Sequence, residues 1–109
     1  GNYAIPQVDL SETDKKYIVE LFAPGIDPKE ISVELDRGIL RITGKYPDRK
    51  ELKMAWREYP SGGEFERRIS LPDGDPNAVS AGEGRGVITI IVGKKNEKRK
   101  ITLDNLLKA

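Results

Sequence analysis

The chain has 109 residues, enough for one modest domain that buries roughly two-thirds of the surface its unfolded form exposes. Nineteen Lys and Arg against eighteen Asp and Glu leave a net charge of +1, and 37% apolar with 34% charged residues describes a mixed-sign surface around a single core, with no basic bias toward nucleic acid. Cysteine and histidine are both absent, which excludes disulfides, Ser/His/Asp and Cys/His catalysis, and metal sites built on thiolate or imidazole.

The apolar runs, such as residues 87–92, are far shorter than the ~20 residues of a membrane-spanning helix. With no leader-like segment read at the start, a cytoplasmic protein is expected. Residues 1–7 are expected to be a residual amino-terminal arm or a remnant of cloning.

Strand signals dominate, at roughly ten-residue spacing between Gly, Pro and Asp punctuation, and that rhythm predicts an all-β, immunoglobulin-like antiparallel β-sandwich. A first strand is read at residues 8–10 and a second at 17–22, stopped by Ala23-Pro24-Gly25; residues 27–30 read as a turn. Residues 31–35 alternate apolar and polar at the two-residue period of a half-buried strand. Asp36-Arg37-Gly38 supplies a hairpin turn, and residues 39–43, ended by Gly44, form the antiparallel partner. Further strands are predicted at 65–71, 78–81 and 86–92, and residues 103–109 are expected to form at most one frayed helical turn. Between Gly44 and Gly63 lies a long charged segment carrying Trp56, the chain's single tryptophan, and Tyr59. Connections of this length inside a compact domain are uncommon unless they serve a purpose.

Several constellations carry little. Gly82-Glu83-Gly84-Arg85-Gly86 leads into a strand, whereas phosphate cradles lead into a helix. The basic run of Lys94, Lys95, Lys98, Arg99 and Lys100 has no interleaved aromatics and reads as a solvated linker. Asp73, Gly74 and Asp75 fail the ligand spacing of a calcium loop. No two carboxylates are singled out as a general acid and base.

Read in order, Pro24-Gly25-Ile26, Leu40-Arg41-Ile42-Thr43-Gly44, Phe65-x-Arg67, Leu71-Pro72, and Ala81 before Gly86-Val87-Ile88 resemble the α-crystallin domain of the small heat shock proteins, over nearly the whole chain. Each motif is weak alone and the ordered set is specific. Gly93-Lys94 departs from the family's usual Pro-Lys, and Arg57-Glu58 matches its acidic-basic pair only loosely.

The resemblance implies an ATP-independent holdase chaperone that binds unfolding proteins and limits their aggregation, with no cofactor, no catalytic residue, and no nucleic acid or membrane partner. It implies a domain at residues 8–93 and a tail at 94–109. A segment at about 45–63 would carry a strand exchanged with a second copy, giving a homodimer and a route to higher oligomers. The implied dimer interface comprises Val8, Leu10, Trp56, Glu58, Tyr59 and Arg67, with Arg67 paired to a partner carboxylate for which Glu58 is the candidate. Val33 and Leu35 on one sheet edge and Val79 and Ala81 on another would line a groove for clients. Ile101 and Leu103, pointing the same way in an extended tail, would dock there on a neighbouring dimer. The family's extended apolar amino-terminal arm has only residues 1–7 as its counterpart, so a truncated or naturally short variant is expected. Two alternatives stand beside this reading, a monomeric CS-domain co-chaperone and a structural immunoglobulin-like module.

Overall fold

Alternation along β2 (Lys16–Phe22) turns Tyr17, Val19 and Leu21 to one face, where all three are buried. The same period in β7 (Val87–Lys94) buries Ile88, Ile90 and Val92, and the two strands pair antiparallel with Val19 opposite Ile90 and Leu21 opposite Ile88. On the other side of the core, β4 (Ile39–Lys45) contributes Leu40 and Ile42 and β5 (Glu64–Ser70) contributes Phe65. With Ala23, Ile26, Tyr46 and Leu71 these side chains make one cluster. A computed structural model describes residues 6–49, 53–95 and 101–108, and among them β1 (Val8–Glu12), β3 (Ser32–Asp36) and β6 (Gly74–Gly84) complete the strands.

The strands form two antiparallel sheets, ordered β1-β2-β7-β6 and β3-β4-β5, packed as the expected sandwich. The β3-β4 hairpin turns on Arg37 (φ 48°) and Gly38 (φ 77°), two successive left-handed residues whose twist matches that of the flanking strands. Gly44 serves a different need. It stands opposite Phe65, and a side chain there would meet the Phe65 ring, with Cζ only 2.3 Å from the first added carbon.

Two elements differ from expectation. Residues 27–30 are not a simple turn but hold a 3-10 turn (Pro28–Glu30), capped by the Asp27 carboxylate, which accepts from the Lys29 amide at 3.0 Å. Strand β6 spans eleven residues where four were expected, because Pro76, Gly82 and Gly84 read as breaks. An edge strand tolerates them: Pro76 lies in the stretch between Gly74 and Val79 where the register with β7 shifts.

The outer face of the three-stranded sheet is charged. Arg41 and Arg68 stand directly opposite each other, a repulsive pairing that Glu66 relieves by accepting from the Arg41 guanidinium while lying 3.5 Å from Arg68. Hydrogen bonding from Arg41 holds the Glu66 carboxyl below its ordinary 4.5. A carboxyl depressed on folding stabilises the protein above its unfolded pKa, and that contribution is lost as pH falls through the folded value. Glu66→Gln is therefore expected to lower the melting temperature slightly at neutral pH, the deficit shrinking as pH falls below the ordinary carboxylate range and through the lowered Glu66 pKa. A deficit that persisted undiminished into acid would show that the bond is not the cause.

Candidate functional site

Because directly paired residues share a face, the register decides which edge side chains look inward. Val33 pairs with Ile42, Leu35 with Leu40, Val79 with Val92 and Ala81 with Ile90, so all four are on the inner faces of the sandwich. Yet Val33 is 38% and Val79 39% exposed, Ala81 is exposed and Leu35 half-buried. The cause is topology: β3 and β6 are edge strands lying against each other, so the core opens to solvent between them. At the floor, Gly74 sits close to Leu35 and Val92, each 3.2 Å from where a side chain would begin. The result is an apolar groove flanked by two strand edges that pair with no other strand among the described residues.

The opposite open side lies between β1 and β5. Val8 pairs with Leu21 and Leu10 with Val19, so both look inward; Val8 packs against the core, while Leu10 is 45% exposed. Arg67 looks inward from β5 and is half-buried, and its guanidinium donates to the Pro6 carbonyl at 2.7 Å, tying the two sheets across this side. Within the chain Arg67 thus holds a backbone carbonyl, while Glu58 accepts instead from the Trp56 indole at 2.8 Å. Arg68, one residue on, faces outward.

The long β4-β5 connection is ordered at its root. The Tyr46 amide donates to Gly63 and the Gly62 amide to Pro47, each at 2.9 Å, which continues the β4-β5 ladder; the Arg49 amide donates to the Ser61 hydroxyl at 2.8 Å. The Tyr59 hydroxyl donates to the Pro24 carbonyl at 2.5 Å, and its ring stands edge-on to Tyr46 at 5.6 Å. Burial raises the pKa of both phenols above 10, so Tyr59 keeps its donor proton. Beyond this root the described residues 53–58 form no strand, and Met54 is 41% and Trp56 79% exposed.

The tail leaves at Lys94, whose ammonium reaches Glu12 at 2.7 Å and lies 4.8 Å from the centre of the Tyr17 ring. Ile101 is exposed, and Leu103 begins a short helix, α1 (Leu103–Leu107), capped by the Thr102 hydroxyl. Leu103 is therefore helical, not extended in line with Ile101, and it shares an exposed apolar stripe with Leu106 and Leu107. Among the described residues no group of three carboxylates is placed to hold a metal ion.

The sequence that folds into this antiparallel sandwich, open at both sides and with a long connection between β4 and β5, matches the Hsp20/alpha crystallin family over residues 9–104. The chain belongs to that family. It is 37% identical over 99 residues to small heat shock protein C2 of Rickettsia felis, covering 85% of this chain and 62% of that protein. It is 34% identical over 101 residues to a 17.7 kDa class I heat shock protein of Oryza sativa subsp. japonica, covering 89% and 64%. The chain thus spans a little under two-thirds of the length of these small heat shock proteins. Among solved structures, the hspA of Xanthomonas axonopodis superposes with a TM-score of 0.76 at 31% identity, over 86% of this chain and 97% of that one. A small heat-shock protein from Xylella fastidiosa gives 0.75 at 30%, over 92% and 96%. Among the described residues of this family member, no helix is long and apolar enough to cross a membrane.

The residues assigned from sequence separate into four places: the β3-β6 groove, the β1-β5 side, the arm and the tail. What sequence reasoning missed is local bonding over long separations. Neither the Pro6 carbonyl under Arg67 nor the Pro24 carbonyl under Tyr59 has any sequence signature, since every residue carries such an acceptor.

Proposed function

We propose that the chain is the folded domain of an ATP-independent holdase, which captures unfolding proteins on apolar surface and open strand edges and so keeps them from pairing with one another. The observation that carries this reading is the β3-β6 groove, where inward-facing Val33 and Val79 stay more than a third exposed beside two edges with free backbone donors and acceptors. An unfolded segment is complementary to both features, as it offers apolar side chains and unpaired backbone. Holding such a segment needs only binding, with no covalent step and no nucleotide. The setting is cytoplasmic in this reading.

Two copies associate by exchanging the arm, with Met54 and Trp56 of residues 45–63 laid against the partner's β1, whose edge is free and whose Leu10 is exposed. Arg67, at the adjoining side, then meets the Glu58 carboxylate of the other copy. The tail, residues 94–109, ties dimers together through Ile101 and Leu103. Burying two aliphatic side chains contributes on the order of 3 to 6 kcal/mol gross, against about 1 to 2 kcal/mol for each residue ordered, so one tail is a weak tie and several together give assemblies that hold yet exchange.

The test is light scattering from a thermally unfolding enzyme such as citrate synthase, without ATP. The wild-type chain is expected to suppress scattering near equimolar ratio. Val33→Asp/Val79→Asp, at edge positions 38% and 39% exposed and with folding verified by circular dichroism, is expected to need about tenfold more protein. No suppression by the wild type at tenfold excess would refute the holdase reading, and equal protection by the double variant would move capture away from the groove.

A further inference from the structure

The arm root contains a tie that crosses between the sheets. Tyr46 with Gly63 and Pro47 with Gly62 extend the β4-β5 ladder of the three-stranded sheet, and Tyr59 packs on that extension through Tyr46. Pro24 belongs to the link that leaves β2 of the other sheet, where the Ala23 amide is bonded to Gly86 at 2.8 Å. The Tyr59 hydroxyl joins the two through the Pro24 carbonyl. Its ring is held on two further sides, by Tyr46 edge-on and by the Arg49 guanidinium 5.4 Å from the ring centre. Tyr46 in turn leans on buried Phe65, with ring centres 5.2 Å apart, so the stack is anchored in the core.

We propose that Tyr59 is the positioning residue of the arm: its bond to Pro24 sets the direction in which Met54 and Trp56 project, and through that direction the affinity of one copy for another. This rests on the arm-exchanged dimer proposed above. Without the bond, the carboxyl-side stem of the arm would be fixed only as far as Ser61, whose hydroxyl accepts from the Arg49 amide, with the Gly62-Pro47 and Gly63-Tyr46 bonds behind it. Beyond Ser61 only the ring contacts of Tyr59 would resist a pivot. Trp56 lies three residues beyond Tyr59, roughly 10 Å of extended chain, so a pivot of about 20° displaces the indole by about 3 Å. Packed contacts do not survive a displacement of that size.

The single tryptophan makes the arm directly observable. In Tyr59→Phe, which keeps the ring stack and removes only the hydroxyl, time-resolved fluorescence anisotropy of Trp56 in dilute monomer is expected to show a larger nanosecond component. The dimer dissociation constant is expected to rise about three- to tenfold, as for one lost hydrogen bond, with the monomer melting temperature unchanged within about 2 °C. Tyr59→Ala, which also removes the stack, is expected to raise the dissociation constant further. Unchanged anisotropy and affinity in Tyr59→Phe would overturn the proposal, and so would a loosened indole with unchanged affinity. A fall in melting temperature that accounts for the whole loss of affinity would reduce Tyr59 to a folding contact and overturn it too. If the wild-type chain never dimerises, the exchanged dimer fails and Tyr59's role in affinity with it, while the anisotropy still reports whether the tie holds the arm.

Discussion

Excising residues 50–58 and joining Arg49 to Tyr59 through a short Gly-Ser link is expected to leave a folded monomer. The described arm residues 53–58 lie outside the core cluster, and the root is closed by the Tyr46-Gly63 and Pro47-Gly62 bonds, so the β4-β5 ladder survives the deletion. What is lost is the exposed side of the arm. Burying a tryptophan of which 79% is now in water contributes about 3 to 5 kcal/mol gross, and Met54, 41% exposed, about 1 kcal/mol more. Together with the strand pairing on β1, this loss raises the dissociation constant by about a thousandfold or more. Sedimentation velocity at micromolar concentration checks it, and a persistent dimer would overturn arm exchange.

Leu40→Ala is expected to bring the largest loss of stability. Leu40 is fully buried on the middle strand of the three-stranded sheet, between Leu35 and Ile69 in register and facing the core. Truncation there removes the burial of three carbons and leaves a cavity that strands paired on both sides cannot close, at a cost of about 2 to 5 kcal/mol. Of the 5 to 15 kcal/mol typical of a domain, that lowers the melting temperature by about 10 to 25 °C. Ile39, its neighbour, points outward and is 41% exposed, so Ile39→Ala is expected to shift melting by only a few degrees. Thermal unfolding followed by circular dichroism compares the two, and equal losses would contradict the assignment of faces.

Alternation made β2, β3, β4 and β7 readable in the sequence, and Arg37-Gly38 marked the hairpin, because each signal lies within a few residues. Pairing across distance did not have that advantage. Strand β7 inserts between β2 and β6, an arrangement that no local pattern encodes and that sequence reasoning did not reach. Strand β6 was under-read because Pro76 and Gly82 normally end a strand, and only an edge position excuses them. Val33, Leu35, Val79 and Ala81 were named from the resemblance; that they lie on inner faces yet stay partly exposed follows from register and sheet order together. For the tail, a two-residue period suggested one extended face, whereas Thr102 caps a helix from Leu103.

The central claim, a self-associating holdase built on this sandwich, is tested most directly by native mass spectrometry over a concentration series. A dimer at micromolar concentration that gives way to monomer only on strong dilution is expected, with or without multiples of dimers above it; a strict monomer at every concentration would contradict this and favour the monomeric co-chaperone.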